Sequence, residues 1–533
     1  MRIKNDKPQN GTASRLSSGE RVGAVMAYVL AVTLSVMCVL VAFYAENGYN
    51  QIGNAKFSVY KVTMLAGFVP FLLLGAVYLV CFFRQEQYRE LKLSVTDACV
   101  LVYLLFSTIA VFSGGFYEDA LWGSFGWNMG WLSQLSFVLI YLGISRFGIH
   151  YRVILAVFCG SAFPVFLLAV LHRMLIDPIG FYEGLQGYQM AQFLSTMGQA
   201  TWYASYLVVA LPVGMAVFLF AEKTVWRILG GIYTTIGFAS LVTQNSDSAY
   251  FAMAGFMLVF FWVCVEKRET LNRFAEVCTL FFAAGKVMHF LMKMRPNPDL
   301  KYDFITALIL DGAVTWIFLG VCLFFSLFLY GRRDRPYSVG KAMRVRRVAL
   351  SAAVAAVIIL TGMIVMQSRG LIPGSVGEAL SAVSYFNWGD EWGNGRGRIW
   401  SFAFRVFAKE NIRHKLFGLG PDCFSSYAAA VHGEEVTLLW GEKILTNAHN
   451  EWFTTLINTG IFGAAAYIGV FVSAVRRFLQ ARQHSYLLVG AAAAAVSYTA
   501  YNFFCYQQVC CTPFVFLMLG VGEYILRQKG RKM

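Results

Sequence analysis

The chain has 533 residues, 58% of them hydrophobic and 14% charged, with a mean hydropathy of +0.57 and a formal net charge of +15. Soluble domains carry about 25% charged residues, so a soluble globular protein is excluded, and recurring runs of about 20 apolar residues predict a single polytopic membrane domain instead. The basic residues sit in short clusters between those runs, which argues against nucleic acid as a partner, and cysteines inside apolar runs (Cys38, Cys81, Cys264, Cys278, Cys322) exclude a disulfide scaffold.

The predicted fold class is all-α, with about fourteen transmembrane helices. They fall near 22–44, 58–83, 95–112, 128–145, 152–171, 202–220, 226–243, 249–265, 274–292, 304–330, 348–367, 452–475, 485–504 and 509–526. The segment 274–292 carries Lys286 and His289, so a tilted or partly re-entrant helix is an alternative there. Arg15 and Arg21 precede the first span, which is too long for a signal-peptide core and lacks a small-residue cleavage site. It reads as a retained signal anchor.

Lys and Arg placement orients the chain. With the N-terminus in the cytoplasm, the inner segments hold 29 of the 44 basic residues, the outer loops and helix ends 7, and one long loop the other 8. That bias predicts a multi-pass plasma-membrane protein with both termini cytoplasmic. The organisation is then a tail (1–21), helices 1–11 (22–367), an extracytoplasmic loop (368–450), helices 12–14 (451–526) and a second tail (527–533).

The loop begins with glycine and proline punctuation (Gly370, Pro373, Gly374, Gly377) and passes through a Trp-Gly-acid stretch from Trp388 to Gly395. It turns helical from Ile399 to Phe407 and breaks again at Phe417-Gly418-Leu419-Gly420-Pro421. Its aromatic content argues against disorder, and long ordered loops are usually functional.

The loop closes on Thr446-Asn447-Ala448-His449-Asn450-Glu451-Trp452, which puts His449 beside a helix N-terminus at the outer interface. Such a terminus favours anions, and a histidine there can act as a general base. The alternative is an interfacial histidine bonded to a neighbour. Arg396 and Arg398 place two guanidinium groups in the same loop, suited to bidentate phosphate binding. They could hold a lipid-linked pyrophosphate, or form a solvated patch neutralised by Asp390 and Glu391.

Four motifs in order, Gly395-Arg396 with Trp400, Leu416 to Gly420, Asn447 to Glu451 and Asn458 to Gly463, resemble the O-antigen ligase and Wzy-type polymerase superfamily. The likeness is sharp over about 394–465 and diffuse from Gly198 to Ala254. It implies a GT-C-like membrane glycosyltransferase that takes a saccharide from an undecaprenyl-pyrophosphate carrier at the outer leaflet. Such an enzyme passes the glycan to an acceptor hydroxyl, without cofactor or metal and with inversion. By position His449 would be the catalytic base and Arg396 the pyrophosphate ligand, with Arg398, Asn447 and Asn450 in support.

One departure stands out. After the seventh span the family often has Ser-Arg-Gly, whose arginine is a second phosphate contact, whereas this chain has Asp247 in Gln244-Asn245-Ser246-Asp247-Ser248-Ala249. Either Arg398, Lys286 or Arg295 supplies that charge, or the donor or acceptor differs. Taken by itself, Asp247 reads as an N-cap of the eighth span.

Lys286, about one turn from His289, is a functional candidate by depth or a snorkelling side chain. Asp311 would face a polar cavity or a basic partner. The aromatic loop from Phe116 to Trp131 reads as an interfacial belt, with sugar stacking as the alternative. Cys505, Cys510 and Cys511 suggest no role. The competing class is a flippase for lipid-linked oligosaccharides, which would carry its charges along a central cavity rather than in an outer loop.

Overall fold

The computed structural model describes residues 17–84, 92–124, 126–381 and 383–530. Most of the predicted N-terminal tail (1–16), the end of the C-terminal tail (531–533) and the segment 85–91 lie outside the described residues. The helices are α1 (Ser18–Phe43), α2 (Ile52–Arg84), α3 (Val95–Val111), α4 (Tyr117–Trp122), α5 (Trp131–Phe147), α6 (Tyr151–Arg173) and α7 (Gly187–Gln192). After them come α8 (Ala200–Phe220), α9 (Thr224–Thr243), α10 (Asp247–Cys264), α11 (Arg268–Met294), α12 (Phe304–Asp311), α13 (Ala313–Gly331) and α14 (Val339–Ser368). Five short or kinked helices fill the long loop: α15 (Gly374–Ser381), α16 (Trp392–Lys409), α17 (Ile412–Phe417), α18 (Phe424–Val431) and α19 (Gly433–Trp440). The chain then returns through α20 (Glu451–Gln480), α21 (Tyr486–Tyr501) and α22 (Thr512–Gly530).

Every predicted apolar segment lies on a helix. Ten stretches among the described residues are long and apolar enough to cross a membrane, with α5 and α6 forming one stretch of 43 residues, while α3 and α21 are apolar but shorter. Length and hydropathy therefore establish a polytopic all-α membrane protein without fixing the count at fourteen. The segment 274–292 lies on one unbroken helix, α11, as predicted rather than re-entrant, whereas the predicted 304–330 helix breaks at Gly312 into α12 and α13.

Polar residues set the helix starts. Ser17 and Glu20 form a reciprocal capping box on α1, with the Ser17 N–H donating to Glu20 Oε2 at 2.8 Å and the Glu20 N–H to Ser17 Oγ at 3.2 Å. Ser94 and Asp97 do the same on α3. Each box satisfies amide groups that the first helical turn leaves unpaired.

The core is a continuous apolar cluster drawn mainly from α1, α5, α6, α8, α20, α21 and α22. On the face opposite the long loop, ion pairs tie helix ends together. Buried Asp97 takes Arg146 at 3.1 Å and also binds Arg527, Glu523 takes Arg477 at 2.5 Å, and Glu266 takes Arg346 at 2.9 Å and Arg482 at 2.5 Å. Of the long apolar helices α14, which leads into the long loop, is the least buried, and Ala342 is its one buried residue.

Candidate active site

The long loop is anchored where two glycine motifs mate. Gly460 interrupts α20 with φ +70°, a backbone conformation open to glycine and rare for L side chains. At the break the Ile457 carbonyl accepts from the Leu419 N–H at 3.0 Å and the Asn458 carbonyl from the Gly420 N–H at 2.9 Å. A Cβ at Gly460 would stand 2.3 Å from the Leu416 carbonyl oxygen, so the close approach itself demands glycine. Loop and broken helix thereby satisfy each other's amide groups.

Arg396 is aimed by a turn. Gly393, Asn394 and Gly395 all take left-handed conformations, with φ of 60°, 61° and 85°, and regular helix begins with the arginine. Its Nε donates to the Phe504 carbonyl at 3.1 Å and its Nη1 to the Gly393 carbonyl at 2.8 Å, while Nη2 has no hydrogen-bond partner among the described residues. Arg398, two residues on, is placed differently. It sits between Asp390 at 3.3 Å and Glu391 at 2.5 Å and also donates to the Leu439 carbonyl.

His449 stands at φ +45° just before α20. Its N–H donates to Asn447 Oδ1 at 2.8 Å, and Asn450 caps the helix by accepting from the Trp452 and Phe453 N–H groups at 3.0 and 3.1 Å. The two asparagines thus hold the backbone on either side of the histidine. The His449 ring meets the Tyr506 ring edge-on at 5.3 Å, and neither ring nitrogen has a hydrogen-bond partner among the described residues. Burial, with the Arg396 charge second, pulls its pKa down to about 4. The imidazole is therefore neutral near pH 7, with a lone pair available.

Residues 503–508 join the two groups, since Arg396 binds at Phe504 and His449 rests on Tyr506. Under them lies buried Glu451, whose carboxylate accepts from Tyr498 at 2.9 and 3.0 Å, from Gln507 at 3.5 Å, and from Tyr467 and Asn502. A cavity of about 40 Å³, room for a few waters, is lined by Glu451, Asn447, Asp422, Tyr103, Gln134 and Tyr506 among others. Asp422 accepts from the Ser124 and Met129 N–H groups at 2.8 and 2.9 Å, and burial pushes its pKa up to about 7.

Asp247 is not the N-cap of its own helix; Ser246 holds that place. Its carboxylate instead accepts from the Ile305 N–H at 2.9 Å, which caps the start of α12, and from the Tyr385 hydroxyl at 2.5 Å. Lys286 is directed elsewhere. Its Nζ donates to the Leu310 and Gly312 carbonyls at 2.8 and 3.0 Å, covering the break between α12 and α13, with nearby His289 paired to Asp311 at 3.2 Å.

The structure thus brings together Arg396, His449, Asn447 and Asn450, engages Arg398 with acids, and gives Asp247 and Lys286 capping roles. Sequence reasoning did not single out Asp422, Tyr506 or the burial of Glu451. Glu451 was within reach, because it closes the Asn447–Glu451 motif. Among the described residues no group of three or more His, Cys, Asp or Glu side chains could hold a metal ion.

A family model described as O-antigen ligase matches residues 303–468. That span contains Arg396, Arg398, Asn447, His449 and Asn450 and excludes Asp247 and Lys286. No match was found among curated proteins.

Proposed function

The match over residues 303–468 supports membership of the O-antigen ligase superfamily, and from that premise we propose that the chain is a membrane glycosyltransferase acting on an undecaprenyl-pyrophosphate-linked saccharide at the outer leaflet. The family suggests a glycosyltransferase-like enzyme and implies a lipid-linked saccharide as its partner. The observation that carries the finer reading is the convergence of Arg396 and neutral His449 on one short loop, 503–508.

In this reading an unpartnered ring nitrogen of His449 takes the proton of an acceptor hydroxyl. The acceptor oxygen bonds to the anomeric carbon as the bond from that carbon to the pyrophosphate oxygen breaks. The leaving pyrophosphate gathers negative charge, which the free edge of the Arg396 guanidinium stabilises. Attack opposite the leaving group inverts the anomeric centre. Fourteen crossings, cytoplasmic termini and an extracytoplasmic loop over 368–450 belong to the same proposal. The flippase alternative gains no support from the family match.

The test is a reconstituted transfer assay with undecaprenyl-pyrophosphate oligosaccharide and a cell-envelope acceptor. His449→Ala is expected to insert normally and to abolish transfer. Normal transfer by a properly inserted variant would remove His449 as the base. A ladder of product lengths would mark a polymerase and a single addition a ligase.

A further inference from the structure

Three loops on the same face as His449 border a second cavity, an open one of about 240 Å³, which none of the chemistry above uses. It is built from the turn into α2, the loop before α5 and the short β-hairpin that leads into α8. That hairpin pairs Phe193 with Gln199 and Leu194 with Gly198. Much of the lining is aromatic, with Trp127 and Trp202 set 5.8 Å apart at 55° and Tyr49 and Phe193 beside the same cavity. Gln51, Asn54 and Gln199 supply its amide groups, and among the described residues no Asp, Glu, Lys or Arg lines it.

That combination selects a chemistry. Indole faces pack against flat apolar surfaces such as the C–H face of a pyranose ring. Side-chain amides both donate and accept, as vicinal hydroxyls require. An anion would find no countercharge here. The volume lies below the roughly 300–1,000 Å³ of drug-sized pockets, which suits about one sugar ring.

Position links the cavity to the reacting groups. Trp127 lines both this cavity and the one over Glu451. Its ring lies 4.4 Å from Tyr506, whose hydroxyl accepts from Trp202 Nε1 at 3.1 Å and whose other neighbour is the His449 ring at 5.3 Å. Trp202 is itself held in a slot, since a Cβ on Gly53 would stand 2.3 Å from its indole. We infer that this cavity is an uncharged-saccharide subsite, resting on the transferase reading, which holds a sugar of the acceptor or donor glycan two ring contacts from His449.

The experiment uses the full-length protein in nanodiscs, with glucose, galactose, N-acetylglucosamine and rhamnose disaccharides as probes and glucuronic acid and inorganic pyrophosphate as charged controls. Neutral probes are expected to quench tryptophan fluorescence saturably, and Trp127→Ala is expected to weaken binding by about tenfold. The exposed-amide variant Gln199→Leu, at an ordinary backbone conformation, carries little folding risk. It should weaken binding by about fivefold or more, as expected for one or two lost hydrogen bonds, with thermal unfolding unchanged.

Saccharide binding that both variants leave intact would overturn the subsite, as would wild-type preference for glucuronic acid over the neutral sugars. No neutral sugar bound by the wild type would also overturn it and leave the aromatics as an interfacial belt. Equal affinity for a free saccharide and its polyprenyl-pyrophosphate form assigns the subsite to the acceptor. Extra affinity for the lipid-linked form, lost in Arg396→Lys, assigns it to the donor. The two proposals fail separately. His449→Ala without transfer, beside a wild type without sugar affinity, sinks only the subsite, while sugar binding with normal transfer by His449→Ala sinks only the base.

Discussion

Arg396 and Arg398 carry the same side chain two positions apart and meet opposite surroundings. Arg398 is balanced by Asp390 and Glu391, whereas Arg396 binds two carbonyls and keeps one edge of its fork open. Arg396→Lys keeps the charge and loses the planar fork, so the transfer rate is expected to fall by about tenfold or more. Arg398→Ala breaks ion pairs to exposed carboxylates, each worth about 0–1 kcal/mol, and should leave the rate within about fivefold. Steady-state kinetics of the two variants check both, and equal losses would reject the distinction. The pH profile follows from His449, whose neutral form prevails above its folded pKa of about 4. Transfer should therefore hold as pH falls through 6 and decline only on approaching 4. Stability carries the complementary sign. Between the usual histidine value near 6.5 and about 4, the unfolded chain takes up a proton that the folded one does not, so stability falls as pH drops through that window. Chemical denaturation at pH 7 and pH 4.5 should show a smaller loss for His449→Ala than for wild type.

At the scale of elements, apolar runs and capping residues made the helices legible, because those signals are local. The loop's glycines were also legible as two separate motifs. Their mating was not, since the Leu419 and Gly420 N–H groups find acceptors some 38 residues along the chain at Ile457 and Asn458. Asp247 shows the same limit. Its sequence position is right for an N-terminal carboxylate, yet the amide it reaches belongs to α12. Gly460→Ala would force both a left-handed alanine and a collision with the Leu416 carbonyl. It is expected to cost about 1–3 kcal/mol, read as a lower unfolding midpoint in detergent. An unchanged midpoint would mean that the break does not depend on glycine.

For the whole molecule, the excess of Lys and Arg opposite the long loop was visible in composition, and the structure shows five of those arginines bound to Asp97, Glu523 and Glu266. The carboxylates' burial was not visible, because helices distant in sequence create it. The same holds for the cavity lined by Trp127 and Trp202, which needs three separate loops. Orientation is open to a direct check. Gly433→Cys should react with a membrane-impermeant thiol reagent in intact cells, and Arg335→Cys only after permeabilisation. The reverse pattern would invert the proposed topology.

The helix that feeds the long loop stands like an outrigger beside a hull. Lipid tails solvate an apolar helix about as well as neighbouring helices do, so α14, with Ala342 alone buried, needs no berth in the bundle. For a substrate carried on a polyprenyl chain this removes the problem of a doorway. The tail can stay in the acyl layer between outrigger and hull while its phosphates rise to Arg396 from the side. On the transferase proposal, the bilayer itself would then serve as the approach channel.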